Sequence, residues 1–203
     1  MSDNHFKSVL YIHVNKCGGS SMRHTLRRYS HVHIAKNDEL SELRKTALWA
    51  SSYKFSIVRN PVDRILSLYG MMNRDKRHIS IAGILDIAEN NRIGYTLADG
   101  GLQPMSPAFI KRHSLPLTHH HYGLYDLNCG VLNIDEVFKL EELDACWNSI
   151  EKIVGHTLKR YTHNKSGKFK DCANMTRDDL KRIIDLYNED FRAFEYSLPK
   201  VSD

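Results

Sequence analysis

One stretch of the sequence decides the fold: Tyr11-Ile12-His13-Val14-Asn15-Lys16-Cys17-Gly18-Gly19-Ser20-Ser21. The apolar run from Val9 to Val14 predicts a buried strand, and a helix is expected over residues 20–29. The segment between them is a tight loop ending at a helix N-terminus, where free N–H groups and the helix dipole favour anions. Its glycines let the backbone approach a ligand closely, and Lys16 adds a full charge. The loop is not of the GxxxxGK[ST] kind, because its lysine precedes the glycines.

Composition limits the classes of protein to consider. The chain has 203 residues, which is enough for one sizeable core, so we expect a single domain over residues 1–203. No apolar run approaches the roughly 20 residues of a membrane span, and residues 1–8 lack the apolar core of a signal peptide. The chain as written is therefore expected to be cytoplasmic. The net charge of +5 favours anionic partners.

The cysteines give no sign of a metal site or a disulfide framework. Cys17, Cys129, Cys146 and Cys172 are scattered and form no CxxC pair. Reduced thiols are therefore expected, and Cys17 is interpreted as a small filler of its loop.

Strand-like and helix-like segments alternate along the chain. Strands are predicted at residues 8–14, 31–34, 53–58 and 136–140, and helices at 20–29, 39–49, 61–74, 80–91, 141–153 and 176–194. Residues 94–134 and 155–175 are interpreted as loops. This alternation predicts a three-layer α/β fold with a central parallel sheet, and it places the Lys16–Ser21 loop at the carboxyl edge of that sheet.

A second polar constellation follows the third predicted strand, in the segment Phe55-Ser56-Ile57-Val58-Arg59-Asn60-Pro61-Val62-Asp63-Arg64-Ile65-Leu66-Ser67-Leu68-Tyr69. Asn60 and Pro61 suit the cap and first position of a helix. Arg59 offers a forked donor for a phosphate, and Ser67 offers a hydroxyl donor. A purely structural interpretation is also open, in which Arg59 pairs with Asp63 and Ser67 bonds back to its own helix.

Taken together, the two segments resemble the sulfotransferases that use 3′-phosphoadenosine 5′-phosphosulfate (PAPS), and within them the carbohydrate (glycosaminoglycan-type) branch. Weaker likenesses lie at Val137–Leu143 and in the Tyr187-x-x-Asp190-Phe191 tail. The resemblance implies a P-loop-NTPase-like fold and sulfuryl transfer from PAPS to a hydroxyl or amine, with a carbohydrate as the expected acceptor. Residues 70–134 match poorly, so they are expected to form the variable acceptor side.

The resemblance also implies roles for single residues. The 5′-phosphosulfate contacts fall on Lys16, Cys17, Gly18, Gly19, Ser20 and Ser21, and the 3′-phosphate contacts fall on Arg59 and Ser67. Lys16 is in addition a catalytic group, because it faces the charge of the leaving phosphate. The pattern His31-x-His33 is similar to that of the uronyl 2-O-sulfotransferases, which makes His33 the candidate base and His31 its assistant.

Other features are given weaker interpretations. The run His119-His120-His121 is not expected to bind a metal, because neighbouring residues of an extended chain point to opposite faces. His113, Arg112, His163, Lys165 and Lys168 could contact an anionic ligand or lie solvated. No metal, nucleic-acid partner or membrane span is expected, and no oligomeric state is indicated.

Two alternatives stay open at this point. One is a non-catalytic module that binds 3′-phosphoadenosine 5′-phosphate (PAP) or acidic glycans. The other is a P-loop-type kinase, against which the position of the lysine argues.

Overall fold

The computed structural model describes residues 6–36, 39–74, 79–90, 107–119, 124–161 and 175–200. The chain divides into two compact units. The first unit comprises Met1–Arg59 and Leu117–Asn164, and the second comprises Asn60–Pro116 and Lys165–Asp203. The chain thus passes from one unit to the other between Arg59 and Asn60, inside the second motif.

The first unit contains a parallel sheet of four strands in the order β2-β1-β3-β6. The strands of this unit are β1 (Val9–Ile12), β2 (Val32–Ala35), β3 (Tyr53–Val58), β4 (Tyr125–Asp126), β5 (Val131–Leu132) and β6 (Glu136–Lys139). β4 and β5 form a separate antiparallel pair. The predicted α/β class with a central parallel sheet is confirmed.

Helices occur in both units. They are α1 (Gly19–Leu26), α2 (Leu40–Leu43), α3 (Ala47–Ser51), α4 (Pro61–Arg74), α5 (Ile81–Asn90), α6 (Pro107–Ser114), α7 (Leu143–Val154), α8 (Arg177–Leu186) and α9 (Asn188–Ala193). A short 3₁₀ turn, Leu140–Glu142, joins β6 to α7. Within the described residues, no helix is both long enough and apolar enough to cross a membrane.

One face of the sheet carries the core of the first unit. Alternate residues of the central strands, such as Tyr11 and Phe55, pack there with Met22 of α1 and with Trp147 and Ile150 of α7. The opposite side of the same strands is also buried, for example at Leu10 and Ile12. Apolar residues on both faces are typical of a parallel sheet, and they explain why β1 reads as a continuous apolar run.

The second unit has a helical core. Its buried apolar residues come from α4, α5, α6, α8 and α9, together with Ile79. Arg64 of α4 is fully buried, and its guanidinium donates to the carbonyls of Leu115 (2.7 Å) and His113 (3.1 Å). The Tyr187 hydroxyl donates to the Ser114 carbonyl. Two buried side chains therefore satisfy carbonyl groups around the C-terminal end of α6, which would otherwise lack partners.

The strand order has a switch point at one position of the sheet. From β1 the chain passes through α1 to β2, which is the neighbour of β1 on one side in the strand order. β3 is its neighbour on the other side, and β6 follows next to β3. In open α/β sheets, ligands bind outside the carboxyl ends of the strands where the connections diverge in this way. Here that position lies between the ends of β1 and β3, which are tied by the buried bond from the Ser56 hydroxyl to the Ile12 carbonyl (2.8 Å).

Three predicted segments differ from the structure. Residues 39–49 contain α2 and the beginning of α3 instead of one helix, because α2 ends at Leu43 and the Thr46 hydroxyl, which accepts from Trp49 N, caps a new helix. The last helix is divided at Tyr187 into α8 and α9. Residues 94–134, interpreted as a loop, contain α6 and the β4–β5 pair.

Candidate active site

The Lys16–Ser21 loop has an unusual backbone. Lys16 (φ 66°) and Gly18 (φ 74°) both adopt the left-handed conformation. Glycine does so freely, but a residue with a side chain loses roughly 1–2 kcal/mol there. Such a cost persists only where the surrounding structure imposes the conformation. The fold, rather than local preference, therefore fixes the shape of the loop at Lys16.

The two glycines of the loop are required by contacts within the protein. A Cβ atom on Gly18 would lie 2.8 Å from Cδ1 of Leu140, and one on Gly19 would lie 1.8 Å from Cδ2 of His13. The sequence interpretation linked these glycines to close approach of a ligand. The structure adds that side chains at the ends of β6 and β1 already occupy the space that a larger residue would need.

The end of the loop has the features of an anion site. α1 begins at Gly19 and has no acidic residue in its first turn. The first N–H groups of a helix have no acceptor inside it, and the helix dipole is positive there. Cys17 is buried, and its thiol lies 3.5 Å from the Asn15 carbonyl, which fits its interpretation as a filler. Lys16, half-buried, adds the positive charge.

Arg59 connects the second motif to this loop. It follows β3, and its Nη1 donates to the Lys16 carbonyl across 3.4 Å. A guanidinium carries five N–H donors, so this bond leaves most of the group's donor capacity for a ligand. The structure thus brings Arg59 and the Lys16–Ser21 loop together beyond the carboxyl ends of β1 and β3.

Ser67 lies in the second unit, on α4, where it is buried. The helix begins as predicted, because Asn60 Oδ1 accepts from Val62 N (3.0 Å) and Pro61 is its first residue. The role of Ser67 at the 3′-phosphate stays a prediction.

His31 lies at the amino edge of the sheet. It precedes Val32, which pairs with Val9, and its Nε2 is 2.9 Å from the Val154 carbonyl at the end of α7. Strands rise about 3.3 Å per residue, so His31 is roughly 13 Å below the level of Ile12, where β1 ends. The structure does not bring His31 to the Lys16–Ser21 loop.

His33 lies in the middle of β2, paired with Leu10, about two residues below the carboxyl edge. Its side chain is exposed and lines a pocket of about 390 Å³ with Leu43, Leu48 and Glu39 among its neighbours. His31 precedes the strand, and its ring lies at the Val154 carbonyl. The roles of His33 as base and of His31 as its assistant stay predictions.

His13 is a site residue that the sequence interpretation missed. Its ring packs on Gly19 and stacks at 6.4 Å from the ring of Tyr11. Burial, followed by the nearby positive charges of Arg23 and Lys36, lowers the pKa of His13 below its usual value. The available signal was its position, directly after the buried strand and before the loop.

The other histidines give no metal centre among the residues described. No group of three or more His, Cys, Asp or Glu residues there could hold a metal ion. His113 turns back on its own helix, with Nδ1 2.8 Å from the Phe109 carbonyl. His120 and His121 lie outside the described residues, as do His163, Lys165, Lys168 and Cys172.

The comparison with protein families agrees with this geometry. A model described as "Sulfotransferase family" matches residues 1–197. Because this match covers almost the whole chain, the chain belongs to the sulfotransferase family, whose members are enzymes that transfer a sulfuryl group. The comparisons with curated proteins and with solved structures returned no match.

Proposed function

We propose that this enzyme transfers a sulfuryl group from PAPS to a hydroxyl group of a carbohydrate acceptor. The observation that carries the proposal is the bond from Arg59 to the Lys16 carbonyl, at the place where the connections of the sheet diverge. It links Arg59 of the second motif to the Lys16–Ser21 loop of the first, and both Arg59 and Lys16 carry positive charge. Family membership supports the sulfuryl transfer itself.

In this proposal the donor is held at its two anionic ends. Lys16 and the N–H groups of Gly18, Gly19, Ser20 and Ser21, together with the backbone at Cys17, receive the 5′-phosphosulfate. The guanidinium of Arg59 and the hydroxyl of Ser67 receive the 3′-phosphate. Charge-assisted hydrogen bonds of this kind are about twice as strong as neutral ones, and a forked guanidinium matches a phosphate.

The proposed reaction is an in-line displacement at sulfur. The acceptor oxygen forms a bond to sulfur while the bond from sulfur to the 5′-phosphate oxygen breaks, and that oxygen keeps the electron pair. Negative charge therefore grows on the leaving PAP. Lys16 and the helix N-terminus accelerate the step if they stabilise this charge more strongly in the transition state than before it. No metal is part of the proposal.

The acceptor hydroxyl must lose its proton to a base, and we propose His33 for this role. Its ring is exposed and borders a pocket of about 390 Å³ that an acceptor group can enter. An assisting role of His31 would be indirect, because its ring is held at the Val154 carbonyl.

Turnover with radiolabelled PAPS tests the function. Wild-type protein should transfer label to members of a panel of oligosaccharides and should transfer none from γ-labelled ATP. Lys16→Ala should lower kcat by about tenfold or more while weakening PAP binding less, because PAP lacks the group on which reaction charge develops. Lys45→Ala is the matched control, since Lys45 is an exposed lysine whose ammonium pairs with Glu42.

The possible outcomes distinguish the proposed sulfotransferase from the two alternative functions. Binding of PAP without transfer to any acceptor would favour a non-catalytic PAP-binding module. Transfer from ATP instead would identify a kinase and overturn the proposal. Unchanged turnover of Lys16→Ala at saturating PAPS would remove Lys16 from the mechanism.

A further inference from the structure

We propose that His13 is a positioning residue of the Lys16–Ser21 loop and that it takes up a proton when the anionic donor binds there. This inference rests on the proposed function, because it takes the loop as the site of the donor. It adds a residue that neither sequence motif includes and a link between donor binding and pH.

The ring of His13 is fixed against the start of α1. If Gly19 carried a Cβ atom, it would lie 1.8 Å from Cδ2 and 1.9 Å from Nε2 of His13. On the other side the ring stacks on Tyr11, and the backbone N–H of His13 donates to the Ala35 carbonyl (2.9 Å). The imidazole therefore touches the residue at which the anion-binding helix begins, and movement of the ring is coupled to movement of that residue.

Within the part of the chain that the structure describes, the charges that act on the ring are positive, namely Arg23 of α1 and Lys36 of the segment after β2. The adjacent loop carries Lys16. The phenol on the β1 side, Tyr11, is buried, and burial raises its pKa, so it stays neutral. Burial of His13, with the charges of Arg23 and Lys36, lowers the pKa of the imidazole, which is therefore neutral near pH 7 in the free protein.

A bound donor reverses this electrostatic balance. Its phosphate charges lie beside the first turn of α1 and oppose the cations that disfavour the imidazolium form. The pKa of His13 therefore rises on binding, and a proton enters from solvent at any pH between the free and bound pKa values. By linkage, donor affinity increases as the pH falls through that window, by about tenfold for each unit of the pKa rise.

Calorimetric titration with PAP in two buffers of different ionisation enthalpy measures this proton uptake. The phosphates of PAP can themselves lose or gain protons, so the quantity of interest is the difference between variants. In a series of titrations at different pH values up to pH 7, wild-type protein should take up more protons per PAP than His13→Gln in the window between the free and bound pKa values of His13. The control His156→Gln, an exposed histidine on the segment after α7, should behave as wild type. Equal uptake by wild type and His13→Gln would overturn the proposal.

A second measurement does not depend on whether a variant folds. The ring signals of His13 in the wild-type protein are titrated by NMR with and without PAP, and the pKa should be higher in the complex. An unchanged or lower pKa in the complex refutes the link while leaving the donor site intact. Failure of PAP to bind at all refutes both this inference and the proposed donor.

Discussion

At the scale of single residues, three contacts define the shape of the Lys16–Ser21 loop. Arg59 holds the carbonyl of a left-handed Lys16, Leu140 lies against Gly18, and His13 lies against Gly19. Each contact joins residues that are far apart in sequence or lie on different elements. The loop therefore presents its N–H groups in a geometry that is set before any ligand arrives, which is the arrangement that electrostatic catalysis requires.

A single substitution tests the proposal that His33 is the general base. His33→Ala should lower the rate of transfer by roughly a hundredfold or more, as loss of a general base does, with PAP affinity nearly unchanged. His156→Ala, which removes an exposed histidine of the same unit, should leave the rate close to wild type. The measurement is initial rate with radiolabelled PAPS and the acceptor found in the oligosaccharide panel.

The position of His33 in its strand indicates where to look next if this substitution has little effect. The residue lies about two positions below the carboxyl edge of the sheet, level with Leu10. If His33→Ala retains most of its activity, the base belongs to another element, and His113 and His119 are the next histidines to substitute.

At the scale of elements, the cap of α8 is a quantitative test of the structure. The Thr176 hydroxyl accepts from Asp179 N (3.1 Å), and the carboxylate of Asp179 accepts from Thr176 N (3.0 Å). Thr176→Ala should lower the free energy of unfolding by about 0.5–2 kcal/mol, the usual loss at such a cap. Urea denaturation measures it, with Thr157→Ala at an exposed site as the control. Equal stability of the two variants would contradict the capping box.

Elements with strong local signals could be predicted from the sequence. β3 and α4 were predicted with their observed bounds, because an apolar strand meets Asn60 and Pro61, a cap and a first-turn proline. The capping box at Thr176 also carries a local signal, and the start of α8 was predicted. In each case the residues that fix the boundary lie within the element or beside it.

The missed elements depend on distant residues instead. The C-terminal end of α6 is satisfied by Arg64 and Tyr187, which lie about 50 and 70 positions away along the chain. No pattern within residues 94–134 contains those partners. The same reasoning explains which parts of the candidate site could be predicted. The loop is a motif in the sequence, whereas the contact of His13 with Gly19 and the bond from Arg59 to Lys16 exist only in the folded chain.

At the scale of the whole molecule, the chain consists of two units that differ in architecture. One unit holds the parallel sheet with the Lys16–Ser21 loop and Arg59, and the other is built of helices around an apolar core. The net charge of +5 suits the polyanionic donor that the site is proposed to bind. In the proposed site, specificity for that donor depends on single groups, and above all on the guanidinium of Arg59 at the end of β3.

The most direct test of one donor site built from both motifs is the preference of the protein for PAP over AMP, measured by calorimetry. Wild-type protein should bind PAP far more tightly, because AMP lacks the 3′-phosphate. Arg59→Ala should weaken the binding of PAP by roughly ten- to hundredfold and should affect the binding of AMP little. The expected loss corresponds to about 1.5–3 kcal/mol for a hydrogen bond to a charged group. Arg59→Lys keeps the positive charge but loses the forked pair of donors. Its affinity for PAP should therefore lie between the affinities of the wild type and of Arg59→Ala. Equal weakening of PAP and AMP, or a wild-type protein that does not distinguish them, would contradict the proposed site.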